Sequence, residues 1–129
     1  MAREDLGRAR QHIENCLSVA QRTRSRRYVV RATRLLGACH AAAGNHRESE
    51  HLLANVVTQA RRLANPTQLW QALLAHGRAQ HALGRREDAA RRAGEGLELV
   101  NRVADTLPPE IQSVFRSSTV YTGLQELTQ

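Results

Sequence analysis

Two nine-residue stretches decide the fold of this chain: LGACHAAAG at residues 36–44 and HGRAQHALG at residues 76–84. Each has glycine at its second and ninth positions, so the two superimpose at a displacement of 40 residues. Glycine inside a helix costs about 0.5–1 kcal/mol relative to alanine, and we expect it where another backbone comes close. The glycine at the end of each stretch can stop a helix in the left-handed conformation. The stretches predict two like helical hairpins, whose helices cross at Gly37 and Gly77 in equivalent surroundings.

Apolar residues recur at helical spacing on both sides of these stretches, and no segment alternates in the manner of a strand. The predicted long helices lie near residues 3–22, 26–43, 47–64, 66–83 and 86–106. Leu107-Pro108-Pro109 breaks the pattern, and two short amphipathic pieces follow. Because the turns between helices are very short, neighbouring helices are expected to lie antiparallel.

The 129 residues suit a single domain with one continuous core. We predict an all-α, antiparallel helical-hairpin array of about 2.5 repeats over residues 1–129. Its parts are the second helix of a partial repeat (3–22), two full repeats (26–64 and 66–106) and C-terminal capping helices (108–129). The first helix lacks a hairpin partner, so one flank is expected to be uncovered. That flank leaves open a homodimer, or a chain that is part of a longer protein.

Each predicted hairpin has a glycine midway through its first helix, a glycine at its turn and a small residue early in its second helix. This pattern resembles the tetratricopeptide repeat, over residues 3–107 closely and over the tail loosely. The period of 40 resembles an extended variant found in helical arms of bacterial signalling and regulatory ATPases. The resemblance implies a right-handed superhelix that serves as a protein-binding scaffold. The repeat is degenerate, because the family's aromatic positions hold Thr33, Leu73, His40 and Gln80.

The resemblance also implies a partner-binding groove on the first helix of each hairpin. The implied groove residues are Arg31, Arg34, Ala38 and Ala41 in one hairpin and Gln71, Leu74, Arg78 and His81 in the next. Three arginines among small and apolar residues suit an acidic peptide. The alternative is that these arginines are solvated helix surface. The positions that clamp a C-terminal carboxylate in this family contain no asparagine here, so that activity is not expected.

The charge also bears on the partner. All 19 basic residues are arginines, and against 12 acidic residues they give a formal net charge of +7. Arginine pairs near the predicted turns could contact phosphates, so a nucleic-acid-binding function stays open as an alternative. Aromatic residues make up only 3% of the chain, however, and binders of single strands usually stack bases on aromatic rings. A protein or peptide partner is therefore favoured over nucleic acid.

Catalytic and metal-binding patterns are missing from the sequence. Histidines occur five apart at His46/His51 and at His76/His81, but no cysteine or carboxylate completes a zinc-like spacing. No nucleophile–base pair or phosphate-cradling glycine loop appears. We therefore expect no enzyme activity, no metal and no cofactor. No segment has the length and hydrophobicity of a membrane span, and the first residues do not resemble a signal peptide, so we expect a cytoplasmic location without membrane association.

Overall fold

The computed structural model describes residues 3–129, and this part of the chain is helical without strands. The seven helices described are α1 (Arg3–Arg22), α2 (Arg26–Ala42), α3 (His46–Arg62), α4 (Pro66–Ala82), α5 (Arg86–Ala104), α6 (Pro109–Arg116) and α7 (Thr119–Leu127). The predicted all-α class is therefore confirmed. The boundaries of α1 to α5 fall within two residues of the predicted ones, and α6 and α7 are the two short amphipathic pieces.

The turns after α1, α2, α3 and α4 all contain a residue with positive φ. These residues are Arg24 (55°), Gly44 (84°), Ala64 (53°) and Gly84 (80°). After three of the helices, the residue that follows the positive φ donates its backbone N–H to a carbonyl five residues earlier, as in a Schellman motif. The bonds are Ser25 to Ala20 (2.9 Å), Asn45 to His40 (2.8 Å) and Arg85 to Gln80 (2.9 Å). The turns place the starts of α2 to α5 at intervals of 20 residues, so the glycine pair detected in the sequence marks every second turn.

The chain has two compact units, Met1–Asn65 (unit 1) and Pro66–Gln129 (unit 2). The sequence predicts a single domain with a continuous core, whereas the structure divides at the junction between the two predicted full repeats. Here α3 ends at Arg62 and α4 begins at Pro66, whose ring disfavours helical backbone at Asn65. Each unit is described by itself.

Unit 1 is an antiparallel layer of three helices with α2 in the middle. Over residues 3–65, α1 and α3 each pack against α2. Val30 of α2 and Leu53 and Val56 of α3 are almost completely buried between them. The space beside Gly37 is filled by Leu53, since a Cβ added at this glycine would lie 2.8 Å from Leu53 Cδ2.

Unit 2 is the α4–α5 hairpin closed by the two short helices. α7 packs against both α4 and α5, and α6 packs against α5 and α7. Trp70, Leu74, Ala93, Val100 and Leu124 form its buried core cluster. The ring of Phe115 on α6 meets Trp70 edge-on, with ring centroids 5.5 Å apart.

Polar contacts hold the two short helices in place. Arg116 donates from Nε to Asn101 Oδ1 (2.9 Å) and from Nη2 to Asp105 Oδ1 (2.8 Å) on α5 and its C-terminus. The hydroxyl of Tyr121 on α7 donates to the same Asn101 oxygen at 3.3 Å. Ser118 caps α7 by accepting the backbone N–H of Tyr121. The tail is therefore an integral part of unit 2.

The prediction of equivalent surroundings for the two mid-helix glycines is wrong. A Cβ added at Gly77 would lie 3.0 Å from Leu127 Cδ1 of α7 and 3.4 Å from the Ala89 carbonyl oxygen of α5. At Gly37 the three atoms nearest to the added Cβ all belong to Leu53 of its own hairpin. The residue 40 positions after Leu53 is Ala93, whose small side chain leaves room that α7 fills.

Candidate partner-binding groove

The predicted groove residues of α2 differ in exposure. Arg31 and Ala38 are exposed, whereas Arg34 is half-buried and its buried Nε has no hydrogen-bond partner. Burial lowers the pKa of Arg34, and the positive charge of Arg31 lowers it further. The side of α2 that bears these two arginines would therefore be stabilised by an anionic group.

The predicted groove residues of α4 lie on a surface that α7 partly covers. Leu74 is a core residue and not a surface contact, which corrects its assignment to the groove. A Cβ at Gly123 of α7 would lie 3.2 Å from Leu74 Cδ1 and 2.8 Å from Arg78 Nη2. Arg78 and His81 are exposed, and Gln71 is half-buried. The middle of this surface is thus already occupied by the chain's own helix.

An open groove lies between α1 and α2 in unit 1. We call it the α1–α2 groove, and its volume is about 630 Å³. The residues that line it are His12, Asn15, Cys16, Val19, Ala20, Thr23, Tyr28, Arg31, Ala32 and Leu35. Arg31 is the predicted groove residue that it contains. The groove runs along α1, the helix that the sequence leaves without a hairpin partner.

Large apolar side chains remain exposed along this groove. Val19 is 48% exposed, Tyr28 61% and Leu35 39%. Smaller side chains lie between them along the groove. Cys16 is about one helical turn before Val19, and Ala32 is about one turn before Leu35. A cluster of exposed apolar side chains with a charged residue at its edge is typical of an interaction surface.

The length of the α1 side of the groove suggests what it can hold. From His12 to Thr23 a helix rises about 16 Å, which is about three turns. An amphipathic helix of that length would place two or three apolar side chains along the groove, the helix-in-groove mode of recognition. The sequence signalled this surface only through the missing hairpin partner of α1.

The net positive charge of the chain is carried entirely by unit 1, which contains the groove. Unit 1 has 12 arginines and 5 acidic residues, a net charge of +7. Unit 2 has 7 arginines and 7 acidic residues, a net charge of zero. Unit 2 has one acidic residue for each arginine, as where Asp105 lies 2.8 Å from Arg116, whereas unit 1 has only 5 for its 12 arginines. A negatively charged partner would therefore be drawn to unit 1.

Histidine and cysteine side chains in the described chain do not gather into a metal site. Over residues 3–129 no group of three or more His, Cys, Asp or Glu is placed to hold a metal ion. Cys16 Sγ lies 3.7 Å from His12 Nε2 one turn away on α1. His76 is buried in unit 2. None of the helices within residues 3–129 combines the length and hydrophobicity needed to cross a membrane.

Comparison with protein-family models, curated proteins and solved structures finds no match for this chain. Its function is therefore inferred from the geometry and charge of its own residues.

Proposed function

We propose that this chain is a protein-interaction module built of tetratricopeptide-like helical hairpins, and that it binds an acidic amphipathic helix of a partner protein in the α1–α2 groove. The observation that carries the proposal is the exposed apolar strip of Val19, Tyr28 and Leu35 beside Arg31. A surface of this kind gains free energy when a complementary apolar face removes it from water.

The hairpin-repeat part of the proposal is supported by the regularity of the turns. Helices α2 to α5 start every 20 residues, and the residue with positive φ recurs at the same interval. Such a period is expected when one supersecondary unit is used again and again. A hairpin of two such helices then spans 40 residues, which is the displacement between the glycine pairs.

The choice of a helix as the bound element is supported by the chain's own tail. α7 is an amphipathic helix of nine residues that docks on the α4–α5 hairpin. It inserts Leu124 beside Gly96 and Leu127 beside Gly77. A surface formed by two helices of this protein therefore already accepts a third, short helix through a few leucine side chains.

The choice of an acidic partner follows from charge. A helix that lies in the α1–α2 groove meets Arg31 within a unit of net charge +7, so carboxylates on its polar face would form charge-assisted contacts. A second copy of this chain would bring two such basic units together, which like-charge repulsion opposes. In the groove lining, nucleic acid could stack its bases only on Tyr28 and the imidazole ring of His12.

A labelled model peptide tests the proposal. The probe is a three-turn helix with leucines on one face and glutamates on the other, and its binding to the full chain is followed by fluorescence anisotropy. The control peptide has the same composition in an order that forms no apolar face. We expect saturable binding of the first peptide and at least tenfold weaker binding of the second.

Substitutions locate the peptide on the chain. Tyr28→Ser combined with Leu35→Ser is expected to weaken binding at least tenfold, and Arg31→Glu to weaken it most at low salt. The matched control is Val114→Ser on α6, which changes a 69% exposed valine outside the groove and should leave binding unchanged. Equal affinity of the Tyr28/Leu35 variant and the wild type would remove the groove assignment.

The same samples address the two alternatives. Binding of an oligonucleotide with a steep loss of affinity in salt, and no preference for the amphipathic peptide, would favour nucleic acid. Light scattering that shows a dimer, broken up by Tyr28→Ser and Leu35→Ser, would favour self-association. Either result would overturn the proposal of an acidic partner helix.

A further inference from the structure

A second pocket in unit 1 opens where α1 ends, α2 begins and α3 ends. Its volume is about 520 Å³, and we call it the basic end pocket. The polar residues that line it are Gln21, Arg24, Arg26, Gln59 and Arg62. Its apolar lining consists of Val29, Val30 and Leu63. It shares no lining residue with the α1–α2 groove, so it is a separate site.

The charge of this pocket is uncompensated. Arg24, Arg26 and Arg62 are exposed, approach the pocket from three different segments and form no ion pair within residues 3–129. No acidic residue lines the pocket, and the first turn of α2 contains none. Three guanidinium groups around one cavity produce a positive potential that is focused by the low-dielectric wall.

The uncharged part of the pocket limits the kind of anion that would fit. Val29, Val30 and Leu63 offer an apolar surface that an inorganic ion leaves uncovered. Gln59 Oε1 is buried without a hydrogen-bond partner, although its side chain lines the pocket. This amide can accept an O–H or N–H of a ligand, or donate to an oxyanion after its end group turns over.

We propose that the basic end pocket binds a small organic oxyanion, a phosphate or carboxylate group attached to an apolar or aromatic carbon skeleton. The arginines hold the oxyanion, for which the planar guanidinium is suited because it forms two parallel hydrogen bonds with phosphate or carboxylate oxygens. The valines and Leu63 cover the carbon skeleton. The volume of about 520 Å³ lies within the range of ordinary small-molecule sites.

Four simple probes test the chemical class on the full chain. Phenyl phosphate, benzoate, inorganic phosphate and benzyl alcohol are titrated while amide chemical shifts are recorded by NMR. We expect saturable shifts confined to the pocket for phenyl phosphate or benzoate, and at least tenfold weaker binding of inorganic phosphate and benzyl alcohol. Tighter binding of phenyl phosphate assigns a phosphate ligand, and tighter binding of benzoate a carboxylate. Equal binding of inorganic phosphate and phenyl phosphate would overturn the proposal.

One substitution separates loss of binding from loss of folding. Arg24→Gly removes a guanidinium and at the same time relieves the positive φ of 55° at this residue, so the variant is expected to be at least as stable as the wild type. Its affinity for the preferred probe is expected to fall at least tenfold, as is that of Arg62→Gln. Arg47→Gln, an exposed α3 arginine outside the pocket, is the control and should bind normally. If Arg24→Gly and Arg62→Gln bind as well as this control, the pocket is not the site.

This test stands apart from the test of the partner helix. The pocket variants leave Tyr28, Arg31 and Leu35 unchanged, and the groove variants leave the three pocket arginines unchanged. Failure of one proposal therefore does not remove the other.

Discussion

In unit 2 the α4–α5 hairpin is covered by a helix of its own chain, whereas in unit 1 the groove between α1 and α2 is open. The covering helix α7 places Leu124 against Gly96, and that leucine is completely buried. In unit 1, by contrast, Val19, Tyr28 and Leu35 remain between 39% and 61% exposed. A pair of antiparallel helices is thus covered by a third helix in unit 2, whereas the α1–α2 pair of unit 1, which is not the 40-residue counterpart of α4–α5, stays open.

The residues that correspond by the 40-residue displacement explain why α7 fits unit 2. The positions of Ala93 and Gly96 on α5 correspond to Leu53 and Val56 on α3. In unit 1 the larger side chains fill the hairpin from within, as Leu53 does beside Gly37. In unit 2 the smaller residues leave hollows that only another helix can fill. The size of a few side chains therefore determines whether the hairpin fills the space between its own helices or packs against a third helix.

Charge divides the two units in the same way. Unit 2 balances its 7 arginines with 7 acidic residues, while unit 1 carries the whole net charge of +7. Unit 2 has no net charge, and its hairpin is covered by α7. Unit 1 has an exposed apolar groove and a net positive charge that attracts acidic groups over a long range. The contrast is what places both proposed binding sites in unit 1.

The largest expected effect is the loss of the leucine that closes unit 2. Leu124→Ala should destabilise unit 2 by about 3 kcal/mol, because it removes a fully buried side chain and leaves a cavity beside Gly96. Urea unfolding and amide hydrogen exchange of α4, α5 and α7 measure the change. Val114→Ala on α6 is the control and should cost less than about 0.5 kcal/mol, since this valine is 69% exposed. Similar losses in both variants would show that α7 does not close the hairpin.

A smaller effect is expected from two glycines that are two residues apart on α5. Gly96→Ala should destabilise by about 1–3 kcal/mol, because the new Cβ would lie 2.8 Å from Leu124 Cδ2 and would force this completely buried side chain to shift within the core. Gly94→Ala should instead stabilise by about 0.5–1 kcal/mol, since no atom lies within 4 Å of the added Cβ and alanine favours the helix. Thermal unfolding distinguishes the two, and a shift of the same sign for both would refute the packing of α7 against Gly96.

The sequence predicted the helices and their ends well, because apolar spacing, Gly44, Gly84 and Pro66 are local signals that act through the backbone. It did not predict that Leu74 is a core residue, because the burial of Leu74 depends on where α7 packs. The position of α7 depends in turn on small residues far away in the sequence, such as Ala93 and Gly96 on α5. Arg24 and Ala64 were also missed as turn residues with positive φ, since neither residue type favours that conformation. The sequence indicated the α1–α2 groove only indirectly, because it predicted that the first helix lacks a hairpin partner and has one uncovered flank.

The turns provide the next comparison. Ala64→Gly should stabilise the chain by about 1 kcal/mol, because alanine holds a φ of 53° that glycine adopts without steric cost. Gly44→Ala should destabilise by about the same amount, because it places a Cβ on a residue with φ of 84° although no other atom lies within 4 Å. Denaturant midpoints of the two single variants give the measurement. If Ala64→Gly is neutral or destabilising, the third turn does not share the backbone of the other turns in solution.

The smallest expected effect concerns Arg34, whose counterpart 40 residues later is the core residue Leu74. Because burial and the charge of Arg31 lower the pKa of Arg34, its protonated form is less favourable in the folded than in the unfolded chain. The charge therefore costs stability at every pH below the folded-state pKa, including neutral pH. Arg34→Leu should raise the unfolding free energy by up to about 1 kcal/mol, by removing this charge and the unsatisfied Nε. Part of that gain should shrink in high salt, which screens the repulsion between the two arginines. A lower unfolding free energy in Arg34→Leu would instead mean that the Arg34 guanidinium makes a net favourable contact in the folded chain.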